Sequence, residues 1–208
     1  MKYSQAQKTP LALALADKTR SQATPLDAFK LARRLYLEGK HIGIGDMAKR
    51  LGVSRGTLYR WVGSKEFLLD EVFWSLLKKA FQHAMEASPG CGIDHIIEVH
   101  RNFMSRILSF PPLQRFIDQD GTYALRVLTD TSSGVTQRII AVSAAHLRDQ
   151  EAKGHIRLST SAEQVAEIFI PANQAVIYSD VISGRSPAIE KACSLIRMLL
   201  ASNTIQEN

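Results

Sequence analysis

Residues 44–68 read IGDMAKRLGVSRGTLYRWVGSKEFL, and this stretch decides the fold of the N-terminal part of the chain. Three apolar side chains before the turn have the spacing of a buried helical stripe: Met47, Ala48 and Leu51. Gly52 then supplies a residue that readily takes a positive φ, as a sharp turn between helices requires. Ser54 is suited to cap the next helix, which begins at Arg55. The stretch therefore predicts a helix-turn-helix.

Apolar periodicity, caps and breakers predict helices along the rest of the chain as well. They lie at about residues 25–39, 44–51, 55–61, 65–87, 93–108, 113–119, 122–128, 135–153, 162–183 and 187–201. Pro171 is expected to bend the helix that contains it. No convincing run of alternating residues predicts a strand, so the fold class is all-α. Residues 25–64 form an N-terminal three-helix domain with the helix-turn-helix, and residues 65–208 form a C-terminal helical domain.

The positive charge of the chain is concentrated around the helix-turn-helix. Residues 1–62 contain 12 Lys and Arg and 4 Asp and Glu, a net charge of +8, whereas residues 63–208 contain 14 and 16, a net charge of −2. A basic module that carries a helix-turn-helix is typical of DNA binding, with the second helix in the major groove. The alternative for Arg55 and Arg60 is a solvated basic face.

The composition indicates a folded chain without a membrane segment. It has 208 residues, 45% of them hydrophobic, enough for one or two packed domains. No apolar run approaches the roughly 18–20 residues of a membrane span, and the apolar core at residues 11–16 is shorter than that of a signal peptide. We therefore expect a cytoplasmic protein with an N-terminal arm at residues 1–24. Lys18 and Arg20 either reach an adjacent DNA groove or belong to a plain flexible tail.

Three short motifs in the helix-turn-helix region closely resemble the TetR family of bacterial regulators. They are the Gly52–Ser54 turn (GVS), the Gly56–Tyr59 start of the recognition helix (GTLY) and the Ser64–Glu66 start of the fourth helix (SKE). The turn at Ala152–Ile156 resembles the family in layout. The resemblance implies a homodimer that binds a double-stranded DNA operator, with a C-terminal domain for ligand binding and dimerisation and no cofactor.

The resemblance also assigns roles to residues at the DNA. Tyr59 and Lys65 would contact phosphates, and Arg55, Thr57 and Arg60 would approach base edges. The full set of expected DNA-binding residues is Ile44, Gly45, Ser54, Arg55, Gly56, Thr57, Tyr59, Arg60 and Lys65.

The chain departs from the family pattern at two places. Gly43 and Gly45 stand where a hydroxyl and a polar or basic side chain are common, so only backbone N–H groups are left for phosphate contacts there. Arg60–Val62 replaces a more usual His-Tyr or His-Phe and suggests an added cationic contact. Leu58 should pack inward with Ala48 and Val53.

The helix at residues 162–183 is apolar on two faces and must be buried on two sides, and the last helix carries one apolar stripe. A second copy of the chain is the natural partner, although an ordinary intradomain core is the alternative. The residues expected at a dimer interface are Ile168, Ala175, Ile182, Ile189, Ala192, Ile196 and Leu199.

The central helices carry many apolar and aromatic residues. On the sequence alone they are more typical of a core, but the family resemblance implies a pocket for a small, largely apolar effector. The candidate lining residues are Phe103, Met104, Ile107, Phe110, Phe116, Tyr123, Phe169, Asn173 and Tyr178. Tyr123, Asn173 and Tyr178 would supply polar contacts. The segment at residues 168–187 also resembles regulators of acyl-homoserine-lactone degradation, which suggests a lactone effector.

Other functions fit the sequence less well. Asp94 and Glu98 could share a helical face, but His95 and His100 do not fit a metal site, and a surface or helix-capping role is expected for these histidines. The two cysteines predict buried thiols, without a disulfide or a metal. No catalytic motif indicates an enzyme with a DNA tether. The predicted function is a ligand-responsive repressor, and the alternative is an activator or a ligand-independent DNA-binding protein.

Overall fold

The computed structural model describes residues 23–119 and 121–203, so the expectations for the arm, including Lys18 and Arg20, lie outside the described residues. The described part is helical and contains no strand. Its helices are α1 (Pro25–Leu37), α2 (Ile44–Leu51), α3 (Arg55–Val62), α4 (Lys65–Ala87), α5 (Gly92–Leu108), α6 (Pro111–Gln119), α7 (Gly121–Thr129), α8 (Gly134–Ala152), α9 (Ala162–Ile182) and α10 (Ile189–Asn203). The predicted all-α fold is confirmed, with helix ends within about two residues of those expected.

The turn between α2 and α3 forms as its residues predict. Gly52 adopts φ 68° and ψ 31°, the left-handed region that side chains other than glycine rarely occupy. Ser54 caps α3 by accepting from the backbone N–H of Thr57. Leu58 is fully buried and packs in the same core as Ala48. The recognition helix is therefore anchored by its inner face, and its outer face is free for another molecule.

The core of the first three helices extends into α4. Leu68, Leu69, Val72 and Phe73 from the start of α4 are buried in the same cluster as the apolar faces of α1 and α2. The 23-residue helix then continues into the C-terminal half, where it packs on α5 and α8. One rigid helix thus joins the helix-turn-helix to the rest of the chain.

The C-terminal half is a layered bundle. α9 packs against both α8 and α10, and α10 also packs on α5. α9 continues as one helix from Ala162 to Ile182, with Pro171 inside it. The interior between α4, α5, α8 and α9 is not filled completely, and this space forms a cavity that is a candidate site for a ligand.

Candidate DNA interface and effector cavity

Hydrogen bonds link the exposed polar side chains of α3. The Ser54 hydroxyl accepts from the Thr57 N–H at 3.0 Å and lies 2.9 Å from the Thr57 hydroxyl oxygen. The Arg60 guanidinium donates from Nη2 to Thr57 Oγ1 at 3.2 Å. These bonds hold Arg60 along the outer face of α3, from which an arginine can reach a base edge in the major groove.

The Arg55 side chain reaches back to the start of α2. A Cβ at position 45 would lie only 2.9 Å from Arg55 Nη2, so the guanidinium rests directly on Gly45. Gly43, the N-cap of α2, supplies no side-chain hydrogen bond to the first backbone N–H groups of that helix. The Ile44 side chain is buried, which leaves only its backbone for a contact with DNA. A guanidinium beside uncapped N–H groups is suited to bind a phosphate.

The remaining predicted contacts lie around this surface. Tyr59 is 49% exposed, and Gly56 lies exposed on the first turn of α3. Lys65 is half-buried, with its Nζ 4.8 Å from the centre of the Tyr123 ring on α7. The nine predicted DNA-binding residues thus lie at the start of α2, along α3 and at the start of α4.

A cavity of about 290 Å³ lies between α4, α5, α8 and α9 in the C-terminal half. Most of the predicted pocket residues line it: Phe103, Met104, Ile107, Phe110, Phe169, Asn173 and Tyr178. The lining is mainly apolar, as in ordinary ligand sites, whose volumes run from about 300 to 1,000 Å³.

Phe116 and Tyr123 do not line this cavity. Their rings form a chain of edge-to-face contacts with Tyr36 and Phe73, with centroids 5.1–6.0 Å apart. They face this way because α6 and α7 bring them against α1 and α4. These two aromatic residues therefore join the DNA-binding helices to the C-terminal half.

Four polar side chains that line the cavity have a buried atom with no hydrogen-bond partner among the described residues. They are Nε2 of His100, Nε2 of His146, Oδ1 of Asn173 and Oε1 of Gln174. Burial lowers the pKa of His100 to about 4, and burial with the neighbouring His95 lowers the pKa of His146 to about 4. Both imidazoles are therefore neutral at pH 7.

Sequence reasoning did not place His100, His146 or Gln174 in the pocket. Helical spacing contained the signal for two of them, because His100 lies four residues before Met104 and Gln174 lies four residues after Ile170. Nothing in the sequence shows which face of α8 carries His146 towards the cavity.

The expectations about histidines and cysteines need correction. His95 is buried against His146, with ring centres 5.1 Å apart, and His100 lies in the cavity wall, so neither has the expected surface or capping role. Cys193 is buried as expected, but Cys91, the N-cap residue of α5, is exposed, so its predicted burial is wrong. In the described ranges, no group of three or more potential metal ligands comes together.

The residues predicted at a dimer interface do not share one face. Ile168 and Ala175 are exposed, whereas Ile189 and Leu199 are half-buried and pack against the core of the protomer. The side chain of Ile182 lies outside the described part of the chain. Ala192 and Ile196 are 0% and 1% exposed because they pack within the core of the protomer, so their placement at an interface is wrong. Met198, which was not predicted, is 65% exposed.

Residues 91–201 match the family described as tetracyclin repressor-like, C-terminal domain. The chain belongs to the TetR family. The match covers α5 to α10, which supply most of the cavity lining, and the helix-turn-helix motifs at residues 52–66 lie outside it. TetR family members are DNA-binding transcription regulators and are typically not enzymes.

Solved structures agree on the fold. The TetR family transcriptional repressor QsdR from R. erythropolis has a TM-score of 0.81 at 24% identity, over 88% of this chain and 97% of that chain. The TetR family repressor AlkX from Dietzia sp. strain DQ12-45-1b, implicated in biodegradation of n-alkanes, has a TM-score of 0.56 at 19% identity, over 86% and 95%. Comparison with curated proteins gives no match.

Within residues 23–119 and 121–203, no helix combines the length and apolar character of a membrane span.

Proposed function

We propose that this TetR family protein is a repressor that binds a palindromic operator as a homodimer and is released by a small, largely apolar effector. The observation that carries the proposal is the course of α4. Its first turns place Leu69 and Phe73 in the core under the recognition helix, and its later turns place Leu77 and Phe81 in the cavity wall. A ligand that shifts α4 would therefore shift α3 as well.

A second connection links α8, which also lines the cavity, to α4. Asp70 on α4 is buried, and its Oδ2 accepts from the backbone N–H of Gly134 at 2.8 Å, at the first residue of α8. Arg138, one turn further along α8, donates from Nη1 to Glu71 Oε2 at 3.0 Å. Thr136, between them, lines the cavity. A ligand that displaces the start of α8 therefore pulls on the same part of α4.

The effector can favour the released state only by its difference in affinity for the two conformations. In the bound conformation, two recognition helices would lie about one DNA turn apart, roughly 34 Å. We propose an acyl-homoserine lactone as the effector to test first, since its acyl chain suits the apolar lining.

The exposed apolar face of α9 and α10 supports the proposed dimer. Ile168 is 57% exposed and Met198 is 65% exposed, and Ala175 and Ala201 are exposed as well. Ile168→Glu combined with Met198→Glu should give a folded monomer, because neither side chain contributes to the core of the protomer. Light scattering after gel filtration measures the change. Leu26→Glu, at a 57% exposed position on α1, is the control and should leave the dimer intact. A double variant that stays dimeric would place the interface elsewhere.

Fluorescence anisotropy tests the function as a whole. The operator is first selected from a random DNA pool, and the protein is then titrated onto it in the presence of unlabelled competitor, with and without the lactone. The proposal predicts tight binding that survives competitor and weakens when lactone is added. Binding that competitor abolishes would favour a non-specific DNA-binding protein, and binding that no effector changes would favour a ligand-independent regulator.

A further inference from the structure

The cavity holds two buried side-chain carbonyl oxygens without a hydrogen-bond partner among the described residues, and a hydrogen bond fixes the orientation of the first, on Asn173. Asn173 is 2% exposed, and its Nδ2 donates to the Phe169 carbonyl oxygen at 3.0 Å. Reversing this amide would place two carbonyl oxygens against each other, so Oδ1 must face away from Phe169. Gln174, the next residue on α9, also buries an Oε1 without a partner among the described residues. A buried acceptor left unsatisfied costs about 1–3 kcal/mol, which a ligand with a donor would recover.

None of the described lining residues places a permanent charge in the interior of the cavity, where it could balance a charged ligand. His100 and His146 are neutral at pH 7 because burial lowers the pKa of each to about 4. The two permanently charged side chains in the described lining, Lys79 and Arg106, are exposed to solvent. An ionised group placed beside Asn173 would lose its hydration without gaining a counter-ion, which is strongly unfavourable.

The unpartnered atoms differ in the hydrogen-bonding groups that a ligand must offer them. The two carbonyl oxygens only accept, so they need N–H or O–H groups from the ligand. A neutral imidazole Nε2 donates or accepts according to its tautomer, so His100 or His146 can donate to a ligand oxygen. A primary amide meets both needs, because it carries two N–H donors and one carbonyl acceptor.

We propose that the cavity binds a neutral ligand whose head group donates hydrogen bonds to the Asn173 and Gln174 carbonyl oxygens, with an alkyl chain among the apolar side chains. This inference rests on the proposed function, in which the cavity is the effector site. At about 30 Å³ for each water-sized group, roughly ten non-hydrogen atoms fill the cavity. Octanamide has this size, and the lactones proposed above carry the same kind of donor in their amide N–H.

Calorimetry with three probes of equal acyl length tests the head group. Octanamide carries donors and an acceptor, methyl octanoate carries acceptors only, and octanoate is ionised at pH 7.5. We expect octanamide to bind at least ten-fold more tightly than either of the others. Equal or tighter binding of methyl octanoate would overturn the requirement for a donor. Tighter binding of octanoate that Lys79→Met or Arg106→Met weakens would place the head group at the cavity mouth, and would also overturn the proposal.

Variants then locate the head group. Gln174→Met keeps the length of the side chain and removes the acceptor, so it should weaken octanamide about ten-fold and leave methyl octanoate unchanged. Asn173→Leu should have the same selective effect. Gln82→Met, on the exposed face of α4, is the matched control and should change neither affinity. If Gln174→Met and Asn173→Leu both bind octanamide as the unaltered protein does, the assignment of the head group is wrong.

The two proposals fail in different experiments. Calorimetry needs no DNA, so selective binding of octanamide without release from the operator would refute the repressor mechanism and retain the ligand class. Release of the protein by an effector that competes with none of the three probes would refute the ligand class and retain the repressor mechanism.

Discussion

Arg55 and Arg60 lie five residues apart on the recognition helix, yet the structure predicts different losses when each is replaced by alanine. The Arg55 guanidinium rests on Gly45 beside the uncapped start of α2, where a DNA phosphate would complete the arrangement. The Arg60 guanidinium is held by Thr57 on the outer face of α3. We therefore expect Arg55→Ala to remove a phosphate contact, and not the base contact that the family resemblance implies, and Arg60→Ala to remove a base contact.

The expected magnitudes follow from this difference. Each phosphate contact contributes about 0.9 to the slope of log affinity against log salt, so losing one contact in each protomer of a dimer lowers the slope by about 1.8. The loss should be nearly the same on operator and scrambled DNA, because phosphates carry no sequence information. A base contact contributes about 1–3 kcal/mol of discrimination, so Arg60→Ala should reduce the ratio of operator affinity to scrambled-DNA affinity by about five-fold to a hundred-fold for each half-site.

Fluorescence anisotropy over a salt series, on operator and on scrambled DNA, measures both quantities. Lys153→Ala is the control for net charge, since Lys153 is exposed in the turn after α8 and pairs with Asp149. The reasoning is refuted if Arg55→Ala leaves the salt slope unchanged, or if it reduces sequence discrimination more than Arg60→Ala does.

Three further predictions concern stability. Gly45→Ala should stabilise α2 by up to about 0.5–1 kcal/mol in urea denaturation, and should weaken DNA binding because the new Cβ displaces the Arg55 guanidinium; unchanged DNA affinity would contradict the proposed role of that contact. Burial lowers the pKa of His100 from 6.5 to about 4. The contribution of this residue to the free energy of unfolding is therefore fully present above pH 6.5 and is lost as the pH falls towards 4. Between pH 7.5 and pH 5, His100 should lower the free energy of unfolding by about 2 kcal/mol, and His100→Gln should not show this decrease in urea denaturation. An equal decrease in the variant would refute the lowered pKa of His100. Leu58→Ala should cost about 2–5 kcal/mol by urea denaturation because it empties a fully buried site, whereas Tyr59→Ala should leave stability nearly unchanged and weaken DNA binding; similar stability losses in the two variants would contradict the assigned faces of α3.

The helices and the helix-turn-helix could be predicted because their signals are local. Gly52 and Ser54 act within one turn of the backbone, and their conformations depend little on the rest of the chain. The contact of Arg55 with Gly45 could not be predicted in the same way, because it depends on how two helices cross.

The division between pocket, core and surface also depends on packing between distant segments. Periodicity shows that Phe116 and Tyr123 face inward, but it does not show that α6 and α7 carry them to α1 instead of to the cavity. Likewise, an apolar stripe on a helix gives no sign of whether the protomer itself or a second copy covers it. For this reason Ala192 and Ile196 were predicted at an interface although they lie in the core.

The shared core at the start of α4 limits how this protein can be recombined with its relatives. Leu68, Leu69, Val72 and Phe73 are buried in the same core as the apolar faces of α1 and α2, and all four lie beyond the nominal end of the helix-turn-helix domain at residue 64. A chimera joined at that residue would pair each half with side chains that did not evolve to fit it. Exchange of DNA specificity between family members therefore requires a junction beyond Phe73, so that the first turns of α4 travel with the recognition helix.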